Sequence, residues 1–384
     1  MNYLELAELF AEKKLHGRYI ALQHIQPLFE QELFKNGLSI LGKSVQNRPI
    51  YCYKTGTGPK KILLWSQMHG DESTTTKALF DFFNFLDSSH ELAILFKEEF
   101  CFCFVPMLNP DGAFAYTREN ANLIDLNRDA IDLSQPESVI LKKLYLDFQP
   151  DYCFNLHDQR SIYGAGTTGK AAIVSFLAPA YNTNREVNDN RNTAINVITA
   201  VNRSLSQYID GHIGRFDDTF NPNCVGDTFQ SLGTPTILFE AGHFDNDYNR
   251  DFSRKLIFAG YLNAFKFICE NDVVSKDIVD YLLIPQNIAN FYDIIYNNVT
   301  IYDDGIKKMI NFAIQYKEVL VDDEILFFGY VVAVDNLEKC FGHNSIDCCY
   351  KKYSDSKNNY PEIGTIADFS LSGEQIFNKG LKLN

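Results

Sequence analysis

The chain has 384 residues and a formal net charge of -14, with 46% hydrophobic and 22% charged residues. Such a composition fills a globular core, and the length exceeds that of one ordinary domain. The acidic balance excludes a phosphate backbone or an anionic membrane surface as the main partner.

In chain order, residues 3 to 35 carry apolar positions at helical spacing in two blocks, LELAELF and IQPLFEQELF, which predict two short amphipathic helices. No uninterrupted apolar run opens the chain, so neither a signal peptide nor a membrane span is expected. Strands are expected near Leu38–Leu41 and Ile50–Tyr53. KKILLWSQMHG then reads as a buried strand opening into a loop at His69, and KALFDFFNFL as a helix. The runs FCFCFVPML, DYCFNLH, AAIVSFLAP and PTILFEAG are short, apolar and bounded by turn residues, the pattern of further buried strands. Helical patterns at 136–148, 185–209 and 250–270 alternate with them. The expected fold class is therefore α/β, a sheet covered by helices on both faces. Beyond about 272 the texture turns β-leaning, in NFYDIIYNNVTI and EILFFGYVVAVDN, so a small β-rich C-terminal domain is expected there. The nine cysteines are odd in number, and several sit inside apolar runs. They read as reduced thiols of a cytoplasmic protein, not as a disulfide framework.

Functional groups in open α/β sheets gather on loops at the carboxyl ends of strands. Four predicted strand ends carry His69 with Glu72, then Asn109-Pro110-Asp111-Gly112, then His157, then Glu240. A catalytic zinc site takes three N/O ligands and leaves one position open. His69 and Glu72 are three apart, so both can face one ion from a tight loop, and His157 can join from a neighbouring strand. Glu240 closes PTILFE, where an unliganded carboxylate can take a proton from the attacking water.

Over residues 45–270 these motifs resemble the M14 family of zinc carboxypeptidases, whose metal motif is His-x-x-Glu followed far downstream by a third His. The resemblance rests on His69-Gly70-Asp71-Glu72, Asn109-Pro110-Asp111-Gly112, Thr117-Arg118, Asp125-Leu126-Asn127-Arg128, Leu156-His157 and Phe239-Glu240, in that order. It implies a mixed eight-stranded sheet and one zinc ion per chain, held by His69, Glu72 and His157. It further implies Glu240 as general base and Arg118 as the group that polarises the scissile carbonyl, with Asn127 and Arg128 gripping a free substrate carboxylate. A planar guanidinium, always charged, suits both arginine roles. The expected division is a helical lead-in at 1–44 packed on a catalytic domain at 45–272, with a β-rich accessory domain at 285–384. The expected partner is a peptide or amino-acid amide with a free carboxylate.

Two departures bear on substrate. Asp71 precedes the liganding Glu72 where digestive members carry arginine, a pattern closer to bacterial members that cut γ-D-glutamyl-diaminopimelate bonds in cell-wall peptides. The segment GRFDDTFNPNCVGDTFQSLG contains no tyrosine, whereas digestive members carry a mobile one there. Related N-acyl amino acid deacylases share the His-Gly-x-Glu start and form the other alternative. Asp227, a short way ahead of the base, is a candidate for favouring a basic or diaminopimelate-like group. Two decoys are set aside. His90-Glu91 lacks the second histidine of a His-Glu-x-x-His helix, and Gly164–Lys170 resembles a phosphate loop but has Ala171 where Ser or Thr is needed. The latter reads as a flexible loop near the active site.

Overall fold

A computed structural model describes residues 2–271, 275–276, 278–303, 305–335 and 337–383. The expected domain limit at 272 and the terminal residues of the flanking regions lie outside the described residues. The chain forms two compact units, Met1–Gln159 with Ala172–Asn287, and Arg160–Ala171 with Ile288–Asn384.

The first unit opens with α1 (Tyr3–Phe10) and α2 (Leu22–Ile25). The second expected helix, over IQPLFEQELF, is not an α-helix: α2 ends at Ile25, because Pro27 lacks the N–H that would continue it. From there the chain runs on through 3-10 turns at Gln26–Glu30 and Glu32–Phe34. Next come β1 (Leu38–Lys43), β2 (Pro49–Thr55), β3 (Lys60–Ser66), α3 (Thr74–Leu86), α4 (Glu91–Glu99), β4 (Phe100–Val105), α5 (Pro110–Ala115), α6 (Pro136–Phe148) and β5 (Tyr152–Asp158). After β6 (Tyr163–Ala165), which belongs to the second unit, follow β7 (Val174–Leu177), α7 (Asp189–Ile209), β8 (Ile213–Arg215), α8 (Val225–Ser231), β9 (Thr236–Ala241), α9 (Asp251–Glu270) and α10 (Val279–Leu282). Helix α4 has no counterpart in the sequence reading. His90 is its N-cap, with Nδ1 accepting the Leu92 amide at 3.2 Å, so this histidine serves the helix end.

Eight strands form one sheet in the order β1-β2-β4-β3-β5-β9-β7-β8. The sheet is mixed. Strands β4, β3, β5 and β9 run parallel, and β2 and β7 pair antiparallel to this centre. Alternate residues leave by opposite faces. Ile62, Leu64, Phe102, Phe104, Phe154 and Phe239 join a large core that includes residues of α3, α7 and α9. Leu63, Trp65, Cys103, Val105 and Cys153 join a smaller core with α6 and α8. Both faces are therefore covered, which explains the near-continuous apolar runs of the central strands.

The second unit holds β10 (Asn287–Ala289), β11 (Phe291–Asp303), β12 (Ile306–Val321), β13 (Glu324–Val334), β14 (Phe341–Asp347), β15 (Tyr353–Ser354), β16 (Phe369–Leu371), β17 (Gln375–Asn378) and β18 (Leu381–Lys382). Its two four-stranded sheets run β13-β12-β11-β14 and β15-β16-β17-β18. Its core is aromatic, built on Tyr296, Phe312, Tyr353, Phe369 and Phe377. The glycine-rich segment at 164–170 belongs to this unit and is not a loose loop. The Ala165 amide donates to Lys170 O at 2.9 Å and the Thr168 hydroxyl to Ala165 O at 2.8 Å, closing a tight turn.

Among the described residues no helix is long and apolar enough to cross a membrane. All nine cysteines are free thiols.

Candidate metal centre

The site is built on strand ends and held by backbone geometry. Strand β3 ends at Ser66, and the chain then turns through Gln67, whose φ is 48°. Asn109 fixes the turn from below: its Nδ2 donates to Met68 O at 3.2 Å while its Oδ1 accepts the Gly112 amide at 2.9 Å. At Gly70 the backbones of the two loops nearly touch, and a Cβ there would lie 1.9 Å from the Gly112 carbonyl carbon. Glycine is thus required between His69 and Glu72. Asp111 does no chemistry here; its carboxylate accepts from Ser44 Oγ at 2.8 Å, the Gln46 amide at 2.8 Å and Arg48 at 2.6 Å.

His69 Nδ1 lies 2.8 Å from Glu72 Oε1, and His157 Nδ1 lies 2.8 Å from Glu72 Oε2 and 3.1 Å from His69 Nδ1. Among the described residues these three form the group able to hold a metal ion, with one ligand atom from each mutually within 4.8 Å. Asp125 accepts from His69 Nε2 at 3.0 Å, which directs the Nδ1 lone pair of the neutral ring inward. The next residue after His157 helps too. The Asp158 amide donates to Glu72 Oε2 at 3.1 Å, and its carboxylate caps α3 through Thr74 N at 3.0 Å and Thr74 Oγ1 at 2.6 Å.

The ionisable groups of the site act strongly on one another. Burial disfavours a charge on His69, yet the Glu72 carboxylate overrides it and raises its pKa to about 9. Burial dominates at His157 and lowers its pKa. Burial opposes ionisation of Glu72 as well, but the two imidazoles hold its carboxyl far below the usual range. Burial and then the Glu72 charge push Glu240 well above the usual carboxylate value. Two imidazole nitrogens and a carboxylate converging on one point, with the far nitrogen of one ring already bonded to an acid, are the donor set of a three-ligand zinc site. The residues fit the ion.

Glu240 sits beside this group by strand register. Strands β5 and β9 run parallel with His157 opposite Glu240, so the two side chains leave the same face of the sheet on neighbouring strands. Arg118 enters from the other side. Its Nε and Nη2 bond to Asp125 Oδ2 at 3.1 and 3.0 Å, and Nη1 reaches Glu72 Oε1 at 3.3 Å and His69 Nδ1 at 3.2 Å. The structure thus brings five of the sequence candidates together.

The remaining three lie in the adjoining loop and first turn of α8. Asn127 Oδ1 accepts the Val225 amide at 3.0 Å, and Arg128 Nη1 donates to Asn127 O at 2.7 Å and touches Cys224 Sγ at 3.1 Å. Arg128 is exposed. Asp227 is buried, with Oδ1 accepting the Asn221 amide at 3.1 Å, and burial raises its pKa to about 6. Sequence reasoning assigned no role to Asp125 or Asp158. Asp125 stands inside the Asp-Leu-Asn-Arg motif, and Asp158 directly follows a ligand, but neither position by itself reveals which atom it supports.

Comparison with known proteins follows the same lines. Residues 36–154 match the family model described as zinc carboxypeptidase, Peptidase_M14. Carboxypeptidase 2 of Trichophyton rubrum is 27% identical over 101 residues, which are 26% of this chain and 19% of that protein. Carboxypeptidase SOL1 of Arabidopsis thaliana is 29% identical over 136 residues, 30% of this chain and 28% of that protein. The chain therefore spans less than a third of the length of these curated relatives. Among solved structures, a metallo-carboxypeptidase from Burkholderia cenocepacia superposes with a TM-score of 0.52 at 16% identity, covering 64% of this chain and 67% of that one. Thrombin activatable fibrinolysis inhibitor superposes with a TM-score of 0.53 at 13% identity, covering 70% and 80%. Both share the fold.

Proposed function

We propose that this chain, whose residues 36–154 match the family model described as zinc carboxypeptidase, hydrolyses a C-terminal peptide or peptide-like amide bond with one zinc ion held by His69, Glu72 and His157. The observation that carries this reading is the convergence of His69 Nδ1, His157 Nδ1 and the Glu72 carboxylate, with Glu240 one strand away in register. A zinc ion so held supplies a Lewis acid that polarises a carbonyl and acidifies water. Glu240, in register with His157 on the neighbouring strand, takes the proton of the attacking water and returns it to the leaving amine. Arg118 swings its Nη1 from Glu72 to the developing oxyanion, while Asp125 keeps the other edge of the guanidinium in place. Arg128 and Asn127 receive the substrate carboxylate, and this restricts cleavage to a chain end.

The test is a substrate panel on purified protein of measured metal content, each substrate with and without a zinc chelator. It compares peptides with varied C-terminal residues, a γ-D-glutamyl-diaminopimelate peptide and N-acyl amino acids. Chelator-sensitive release of a C-terminal residue is expected. Absence of stoichiometric zinc, or turnover that a chelator leaves intact, overturns the reading. Preference for the second or third substrate class changes the substrate and keeps the chemistry.

A further inference from the structure

We infer that Arg18, Tyr19 and Ile20 are positioning residues for the metal centre, an N-terminal brace that ties together the loops bearing all three ligands. The inference rests on the zinc-site reading above. Residues 18–20 lie outside the segment matched by the family model, which begins at residue 36, and the lead-in carries no motif.

Arg18 and Ile20 reach both segments that carry the three candidate ligands, the turn at 67–73 and the end of β5. Gln67, two residues before His69, donates from Nε2 to Ile20 O at 2.7 Å and to Gly70 O at 2.8 Å, so one amide joins the brace to the His69 turn. Ser73, directly after Glu72, donates its hydroxyl to Arg18 O at 2.5 Å. The Arg18 guanidinium reaches Asp158 Oδ2, directly after His157, at 3.5 Å. That same oxygen caps α3 through Thr74. Tyr19 adds a fourth tie: its hydroxyl donates to Phe114 O at 2.9 Å, in the short helix whose backbone packs on Gly70.

The brace is itself anchored from behind. Lys77 Nζ donates to Gly17 O at 2.7 Å, and Arg254 Nη1 donates to Leu15 O at 2.6 Å. Arg18, Tyr19 and Ile20 are 6%, 7% and 2% exposed.

Any buried segment must satisfy its carbonyl groups, and that alone would be packing. Here every tie to a ligand loop ends on a residue one or two positions from a ligand. A guanidinium is also buried to meet the acid beside His157, an arrangement a plain packing segment would avoid because buried charge is costly to desolvate. Groups that orient metal ligands from behind typically change metal affinity ten- to a hundredfold when removed.

The experiment measures zinc affinity by competition with a chromophoric chelator, and the visible d–d absorption of the cobalt-substituted full chain, in wild type, Arg18→Gln, Arg18→Lys and Ser73→Ala. Circular dichroism and thermal unfolding report the fold. Arg18→Gln should weaken zinc binding by about tenfold or more and shift the cobalt band, and Arg18→Lys should restore most of both. Ser73→Ala removes one hydroxyl and no charge, and should weaken zinc binding by about three- to tenfold. Folded Arg18→Gln and Ser73→Ala proteins with affinity within about twofold of wild type and an unshifted band overturn the brace. Should Arg18→Gln not fold, Ser73→Ala decides by the same limit. A wild type that holds no zinc overturns the proposed function and the brace together, whereas tight zinc binding unaltered in the variants overturns the brace alone.

Discussion

Glu72 in the first unit and Asp293 in the second are both carboxylates drawn out of solvent, and their surroundings differ in kind. Asp293 is 1% exposed, burial raises its pKa, and its Oδ2 accepts the Tyr316 amide at 2.6 Å and the Gln315 side-chain amide, neutral donors from the neighbouring strand. Glu72 meets two imidazoles and a guanidinium, from its own turn, the end of β5 and the Arg118 loop, and its carboxyl is held far below the usual range despite its burial. The acid of the second unit is answered by Tyr316 and Gln315 of the strand beside it, by the Ser161 hydroxyl and by the His343 ring. The acid of the first unit is answered by groups whose lone pairs converge on one point. The apolar cores follow the same division. In its core the second unit stacks rings, Tyr296 on Phe312 at 4.8 Å and Phe369 on Phe377 at 4.5 Å, whereas the first unit places polar loops over the strand ends.

The largest expected effect lies at Glu240. Glu240→Gln should lower kcat by about a thousandfold, ~4 kcal/mol of barrier, with zinc still at one per chain. Retention of a tenth of wild-type turnover on the best substrate of the panel would sink its role as base. On the structural side, Phe369→Ala should cost the second unit about 3–4 kcal/mol by emptying the centre of its stack. Differential scanning calorimetry should show an earlier transition while zinc stays bound; zinc released in that same transition would end the division of labour drawn here.

Arg118→Ala should lower kcat by about a hundredfold, ~2.7 kcal/mol, with a smaller change in KM, as expected for a group that serves a developing oxyanion. A change confined to KM in steady-state kinetics would reassign Arg118 to ground-state binding. The smallest effect concerns Asp227. Its folded pKa of about 6 lies above the ordinary carboxylate value, because burial favours the protonated form. The stability this lends is therefore present below about pH 4 and lost as pH rises through about 6. Asp227→Asn should be about 1–2 kcal/mol more stable than wild type at pH 7.5 and equal to it at pH 4, by urea unfolding. Unchanged selectivity between basic and apolar C-terminal residues in that variant would leave Asp227 as the pin of the Asn221 turn.

Much of the site was legible in the sequence because its residues are tied to strand ends. An apolar run such as KKILLWSQMHG or PTILFE declares where a buried strand stops, and the polar residue at that stop must face the loop side of the sheet. The expectations for β3, β4, β5 and β9 and for α6, α7 and α9 rested on runs long enough for period and length to agree. IQPLFEQELF misled because periodicity records which side chains are apolar, and a proline at its third position decides how far the hydrogen bonds run.

Which atoms meet is settled by the folded arrangement of distant segments. That His157 and Glu240 share a row depends on the parallel register of β5 and β9, two strands more than seventy residues apart. The same holds for Asp125 behind His69 and for Arg18 beside Asp158, pairs joined by long-range folding and by no local pattern. Residue type and spacing determine what chemistry a loop can offer. Register and burial decide whether its lone pairs arrive at one point, because a hydrogen bond or a metal ligand is made across a few ångströms of space and leaves no period in the chain.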